Sequence, residues 1–120
     1  MNQLPHDHGH ISQHILEHMP THADFSIMAD LFKQLSDPTR VRIFWTLCHC
    51  EECVINLSAI MEMSSPAVSH HLKQLRAAGL IISRREGKEV YYKAAANLQA
   101  NLLHSMIEEV VTIACPHKQG

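Results

Sequence analysis

The stretch from Ser64 to Leu80 leaves this chain few ways to fold. A serine cap followed by Pro66 in the first turn starts a helix, and Gly79 stops it. Val68, Leu72 and Leu75 recur at i, i+4 and i+7, so one stripe of that helix is buried. Pro66, Ser69, His70, Lys73 and Ala77 fall on the other side. That face is small, polar and cationic, and it lacks the large acidic side chains that would repel phosphate. A helix of this kind fits the major groove of duplex DNA. Ser65, Ser69, His70, Lys73 and Gln74 are the residues it would present to the bases.

The next segment adds a hairpin. Leu80 to Arg85 and Glu89 to Lys93 are β-prone runs on either side of Glu86-Gly87-Lys88, a turn sequence. A hairpin directly after such a helix is the wing of a winged helix-turn-helix, with Arg84, Arg85 and Lys88 near its tip as phosphate contacts. The plainer alternative is a solvated amphipathic helix followed by a surface hairpin. Charge separates the two. Residues 65–93 hold six cationic side chains against Glu86 and Glu89, a net +4, whereas the whole chain carries −2. A local basic stripe on an otherwise acidic chain marks a docking surface rather than general polyanion affinity.

At 120 residues, of which 46% are hydrophobic, the chain suits one domain. The expected division is a His-rich arm and short helix over 1–22 and a winged-helix DNA-binding and dimerisation domain over 23–120. No apolar run is long enough to span a bilayer. The first residues show neither the basic nor the apolar region of a secretory signal. Four cysteines in a helical pattern without a disulfide framework suggest a reducing compartment and metal or redox duty. The expected location is therefore cytoplasmic. No His-Glu-x-x-His motif, Gly-rich phosphate loop or nucleophile–base pair points to an enzyme or a small-molecule substrate.

Periodicity and punctuation predict the remaining elements. Pro5 and Gly9 oppose helix in the first nine residues. A short helix fits residues 10–19, ended by Pro20. Asp24 is placed to cap a helix running to about Ser36, with Phe25, Met28, Ala29, Phe32 and Leu35 inward. Asp37-Pro38 starts another, along which Val41, Phe44, Trp45 and Leu47 pack inward. Cys48 to Cys53 forms a polar junction. Asn56 is placed to cap a short helix from Leu57 to Met61. A final helix runs from about Ala96 to Ala114. Its apolar face, which includes Leu98, Leu102, Met106 and Val110, is wider than one small domain needs. A homodimer through those four residues would let two recognition helices read a two-fold symmetric operator. The expected fold class is mainly α with a small β-hairpin, a dimeric winged helix-turn-helix.

Two clusters carry metal chemistry. His6, His10, His14, His18 and His22 recur every fourth residue, with His8 between them. Imidazoles at i and i+4 share a helix face and can share an ion. Gly9 and Pro20 interrupt that run, so His10, His14 and His18 are the in-helix set. Cys48, Cys50 and Cys53 are spaced so that their thiolates can converge on Zn²⁺ or Cd²⁺. The bland alternatives are a solvated polar arm and small buried thiols. His104 and Glu108 are also spaced i, i+4, a ligand pair or a solvated pair at the edge of the core.

In combination, several motifs resemble the ArsR/SmtB family of bacterial repressors. They are Leu35-Ser36-Asp37-Pro38-Thr39-Arg40-Val41-Arg42-Ile43, Cys53-Val54 with Leu57, Ser65 to Leu72, and Gly87 with Val90-Tyr91-Tyr92. The resemblance covers residues 24–114. It implies a homodimeric winged helix, with the first and last helices at the dimer interface, that represses an operon until an inducer weakens DNA binding. One family metal site pairs a Cys-Val-Cys unit with N-terminal ligands of the other subunit. Here that unit reads Cys53-Val54-Ile55, so Cys50 or Cys48 must substitute. A second family site, on the last helix, would fall at Ala96, Leu98, Glu109 and Thr112, three of which are poor ligands. Cys48 and Cys115 resemble the cysteine pair of persulfide- and redox-sensing members. The expectation is a DNA-binding repressor released from its operator by a Zn²⁺- or Cd²⁺-type ion on Cys48, Cys50, Cys53 and arm histidines. The alternative is a Cys48–Cys115 thiol switch.

Overall fold

The computed structural model describes residues 4–6 and 8–114. They fall into two compact units, residues 1–30 and 31–120. The first unit holds α1 (His10–His18) and most of α2 (His22–Gln34). No residue of α1 is buried. A reciprocal pair starts α2: the Thr21 N–H donates to Asp24 Oδ2 at 3.0 Å, and the Asp24 N–H donates to Thr21 Oγ1 at 3.1 Å. Thr21 is therefore the cap and Asp24 sits inside the first turn, a capping box with aspartate in the usual glutamate role. The cap thus lies three residues before the expected Asp24. The helix also stops at Gln34 rather than Ser36.

The second unit is the winged helix. Asp37 caps α3 (Pro38–His49) by accepting from the Thr39 N–H at 2.9 Å, with Pro38 in the first turn. Arg40 turns back onto the end of α2. Its Nε and Nη2 donate to the carbonyls of Gln34 and Lys33 at 2.8 and 3.2 Å, satisfying oxygens that the helix end leaves open. Arg42 does the same for the following helix, donating to the Ile60 carbonyl at 3.3 Å. The two arginines of the Asp-Pro-Thr-Arg-Val-Arg run thus fix the helix ends on either side of α3.

After α3 the chain forms a short strand, β1 (Glu52–Cys53), where only a polar junction was expected. α4 (Val54–Met61) follows at once, with Cys53 as N-cap. Asn56 is not its cap. It lies in the first turn and donates from Nδ2 to Glu52 Oε2 at 2.8 Å. The strand pairing of Cys53 with Tyr91 sets the start of this helix, which local capping signals do not reveal.

α5 (Ser65–Ala77) forms as the sequence predicts. Ser64 Oγ accepts from the Ala67 N–H at 3.3 Å, and Val68, Leu72 and Leu75 are buried. The cap contributes about 1 kcal/mol, and burial of each large apolar side chain about 1.5–3 kcal/mol. Packing therefore decides how this helix is seated. Gly79 turns the chain at φ +75° into β2 (Ile81–Glu86), and Gly87 at φ +62° turns it into β3 (Glu89–Ala94). Both angles suit glycine alone at low cost. The sheet is antiparallel in the order β1-β3-β2.

Asn97 begins α6 (Leu98–Ala114), two residues later than expected. Its Oδ1 accepts from the Ala100 N–H at 2.8 Å, while its Nδ2 donates to the Gly79 carbonyl at 2.9 Å. One side chain thus caps α6 and ties it to the turn after α5. The core comprises Ile43, Phe44 and Leu47 of α3, Leu57 and Met61 of α4, the α5 stripe, Leu80, Ile81, Ala95, Ala100 and Leu103. Trp45, expected inside, is 40% exposed, and Ile43 occupies the fully buried position.

Candidate nucleic-acid interface and metal centre

The exposed face of α5 carries Ser65, Ser69, His70, Lys73 and Arg76, while Gln74 is half-buried. Ser69, Lys73 and Arg76 line a shallow 430 Å³ groove between this helix and Tyr92 of β3. The Ser65 hydroxyl lies 3.1 Å from that of Ser58 in α4, which joins the two helices at their polar edge. Below the surface, the inner edge of α5 holds His71. Its Nε2 lies 3.6 Å from Asp37 Oδ2, and its buried Nδ1 has no hydrogen-bond partner. Burial lowers the His71 pKa, which Asp37 opposes and Arg40 and His70 reinforce.

In the wing, Arg85 and Lys88 are exposed. Arg84 is engaged differently. It donates to both carboxylate oxygens of Glu51 at 2.9 and 2.7 Å and to Glu86 at 2.6 Å, and it stacks over Tyr91. Hydrogen bonding to Arg84 holds the Glu51 carboxyl below its usual range, and the same contacts raise the Arg84 pKa. Of the three wing cations read from the sequence, Arg85 and Lys88 are exposed with no carboxylate in contact among the described residues, and Arg84 is paired with two carboxylates.

The cysteines do not share a point. Cys48 is half-buried and lines a 220 Å³ cavity with Ala94, Ala95, Ala100 and His104. Burial, and then the nearby Glu108 carboxylate, push its thiol up to about 11. Cys50 is exposed and its Sγ lies 3.4 Å from the Thr46 carbonyl. Cys53 is buried where β1 meets α4. In the arm, the rings of His14 and His18 are 4.1 Å apart and those of His6 and His8 are 5.7 Å apart. His10 is exposed on the same helix. The His18 Nδ1 is 2.8 Å from the His14 carbonyl. Cys115 lies outside the described residues.

A different set does converge. His49 at the end of α3 meets His104 and Glu108 of α6. His49 Nε2 is 3.2 Å from His104 Nε2 and 3.3 Å from Glu108 Oε1, and His104 Nε2 is 3.1 Å from Glu108 Oε1. Among the described residues, this is the one group of three or more His, Cys, Asp or Glu side chains gathered closely enough to hold an ion. The sequence pointed to His104 and Glu108 as a pair. It gave no sign of His49, which is 55 residues away from His104 in the chain.

Leu98, Leu102, Met106 and Val110 of α6 are exposed, at 68, 59, 38 and 55%. Met106, Ile107, Val110 and Val111 line a 200 Å³ apolar groove with Leu35 and Val41. Among the described residues, no helix is long and apolar enough to cross a membrane.

Comparison with known proteins places these features. The family described as bacterial regulatory protein, arsR family, matches residues 37–83, the span from the α3 cap into β2. A transcriptional repressor SmtB homolog from Synechocystis sp. is 41% identical over 83 residues, covering 69% of this chain and 63% of that protein. An arsenic resistance transcriptional regulator, ArsR2, from Pseudomonas putida is 39% identical over 80 residues, covering 66% of this chain and 69% of that one. The match thus spans about two thirds of either relative. A solution structure from Mycobacterium bovis aligns with a TM-score of 0.67 at 28% identity, covering 74% of this chain and 82% of that one. It is described as the homodimeric winged helix-turn-helix DNA-binding domain of a possible ArsR-family transcriptional regulator.

Proposed function

This chain belongs to the ArsR/SmtB family of bacterial regulators, and from that membership we propose that it is a homodimeric repressor released from its operator by a Zn²⁺- or Cd²⁺-type ion bound by cysteine and histidine. One observation carries the DNA-binding half of this reading. α5 buries Val68, Leu72 and Leu75 and exposes Ser65, Ser69, His70 and Lys73 along a single face, with the wing beside it. Such a helix reads base edges while the wing cations Arg85 and Lys88 follow the phosphates. The exposed apolar face of α6 supports a dimer, whose two-fold axis would present two such helices to a palindromic site. Operator DNA lies in the bacterial cytoplasm, which is where the protein would act.

The metal half rests on donor chemistry. The chain offers Cys48, Cys50 and Cys53 together with His6, His8, His10, His14 and His18, a mixture of sulfur and imidazole. Such a mixture suits borderline ions better than an ion that takes sulfur alone. The three thiols stand apart within one protomer, so a site built on them needs ligands from the arm or from a second subunit. The second reading is a thiol switch between Cys48 and Cys115. Reactivity of that kind requires thiolate character, and the raised pKa of Cys48 works against it.

The test is operator binding by the whole protein, using duplex selected from a random pool. It is run with Zn²⁺, with Cd²⁺ and with a polysulfide donor. A coupling typical of allosteric proteins, on the order of 1–3 kcal/mol, corresponds to a 5–150-fold loss of affinity. That loss should be smaller in a Cys48, Cys50, Cys53 triple serine variant and in a variant with the five arm histidines changed to glutamine. Release of both variants as readily as the parent would remove these residues from the site. Release by polysulfide alone, abolished by Cys48→Ser or Cys115→Ser, would favour the thiol switch.

A further inference from the structure

We propose that His49, His104 and Glu108 form a second, thiol-free binding site for a divalent transition-metal ion, Zn²⁺ foremost, within one protomer at the junction of α3 and α6. The geometry is that of one face of a coordination tetrahedron. The three ligand atoms make a nearly equilateral triangle with edges of 3.1, 3.2 and 3.3 Å. Zinc binds imidazole nitrogen at about 2.0–2.1 Å and carboxylate oxygen at about 2.0–2.2 Å, so two ligands of a tetrahedral site stand roughly 3.3–3.4 Å apart. The observed edges need only a slight spread to accept the ion. It would sit out of the ligand plane, leaving a fourth position for water or another donor.

The surrounding structure supports the site. The Trp45 indole lies beside Glu108 and favours its charged form, and its ring packs 4.4 Å from that of His49. The His49 and His104 rings meet edge to face at 4.9 Å. One indole therefore stands beside the carboxylate and packs against an imidazole, the kind of outer contact that orients metal ligands. The exposure of Trp45, which its place in an otherwise apolar helix pattern did not predict, has a use here. Two imidazoles and a carboxylate suit Zn²⁺, Ni²⁺ or Co²⁺ better than a hard ion such as Mg²⁺ or Ca²⁺. The ion would be a staple. His49 ends the helix packed into the winged-helix core, whereas His104 and Glu108 lie on α6, next to the exposed residues Leu102 and Met106. The site itself does not depend on the repressor reading.

The experiment uses the full chain, stripped with a chelator and titrated with Co²⁺ and then Zn²⁺. The background is the Cys48, Cys50, Cys53 triple serine variant. Co²⁺ should give the strong visible bands of a tetrahedral ion without a sulfur charge-transfer band. Zn²⁺ should displace it. His104→Gln and Glu108→Gln should each weaken binding at least tenfold, and His49→Gln should do the same. Ring ¹⁵N–¹H spectra of the unmodified protein give a readout independent of any variant, because His49 and His104 resonances should shift together on adding Zn²⁺. Absence of tetrahedral bands in the serine background would overturn the site. So would unchanged binding in the His49 and His104 variants, and in either case the three side chains form a hydrogen-bonded cluster only. None of these results bears on operator binding, which is measured separately.

Discussion

Arg84 in the wing grips Glu51, the residue just before β1, with Nη2 2.7 Å from Oε1 and Nε 2.9 Å from Oε2. The two residues are 33 positions apart in sequence, and the paired geometry uses the planar fork that only arginine offers. The contact ties the wing to the segment before α4 and neutralises one of the cations that the proposed DNA contact would use. Arg85→Ala and Lys88→Ala should therefore each reduce the slope of log affinity against log salt by about 0.9, the effect of one lost phosphate contact. Arg84→Ala should change it less. Glu51→Gln combined with Glu86→Gln frees the guanidinium and should steepen the slope. Equal losses at all three cations would show that DNA displaces the carboxylates.

Reading and folding can be separated on one helix. Lys73→Ala or His70→Ala should cost roughly 1–3 kcal/mol of operator affinity and relax base preference at one position per half-site, with thermal stability unchanged. Leu72→Ala, on the buried stripe, should instead lower folding stability by about 2–5 kcal/mol. Binding to a panel of mutated operators, measured beside urea unfolding, distinguishes the two. Full affinity and preference in both surface variants would mean that α5 is not the reader.

A homodimer through α6 predicts that Met106→Glu yields monomers with weak operator affinity, since a buried unpaired carboxylate is costly. Sedimentation equilibrium of the parent and the variant checks this directly. A monomeric parent at micromolar concentration would rule out the interface.

Stability should fall in mild acid because of His71. Burial, only partly offset by Asp37, lowers its folded pKa below the ordinary 6.5. The unfolded chain then binds the proton more readily, so the contribution of neutral His71 is complete above about pH 6.5 and is lost as pH falls through the depressed folded value. Urea midpoints followed from pH 7.5 downward should decline in the parent. His71→Gln should flatten that decline. An identical decline in both would assign it to other groups, among them the Glu51 carboxylate, which also loses its contribution as it protonates.

Much of the winged helix was legible along the chain because its determinants are local. The Ser64 cap, the Val68, Leu72 and Leu75 stripe, and the positive φ of Gly79 and Gly87 each depend on residues within a turn or two. The family motif was equally readable, although the structure was needed to show that Arg40 and Arg42 act by closing neighbouring helix ends. Boundaries were missed where a distant partner sets them. α4 begins at Val54 because Cys53 pairs with Tyr91, and α6 begins where Asn97 can reach Gly79.

The candidate sites divide along the same line. Sequence alone determined which face of α5 is exposed and which residues could ligate an ion, since helical periodicity and side-chain chemistry are properties of short segments. It could not determine which of those residues meet. The pairing of Arg84 with Glu51, the separation of Cys48, Cys50 and Cys53, and the closure of His49 onto His104 and Glu108 were decided only when α3, α6 and the sheet packed around one core. Packing fixes distances between elements far apart in the chain, and periodicity carries no information about those distances.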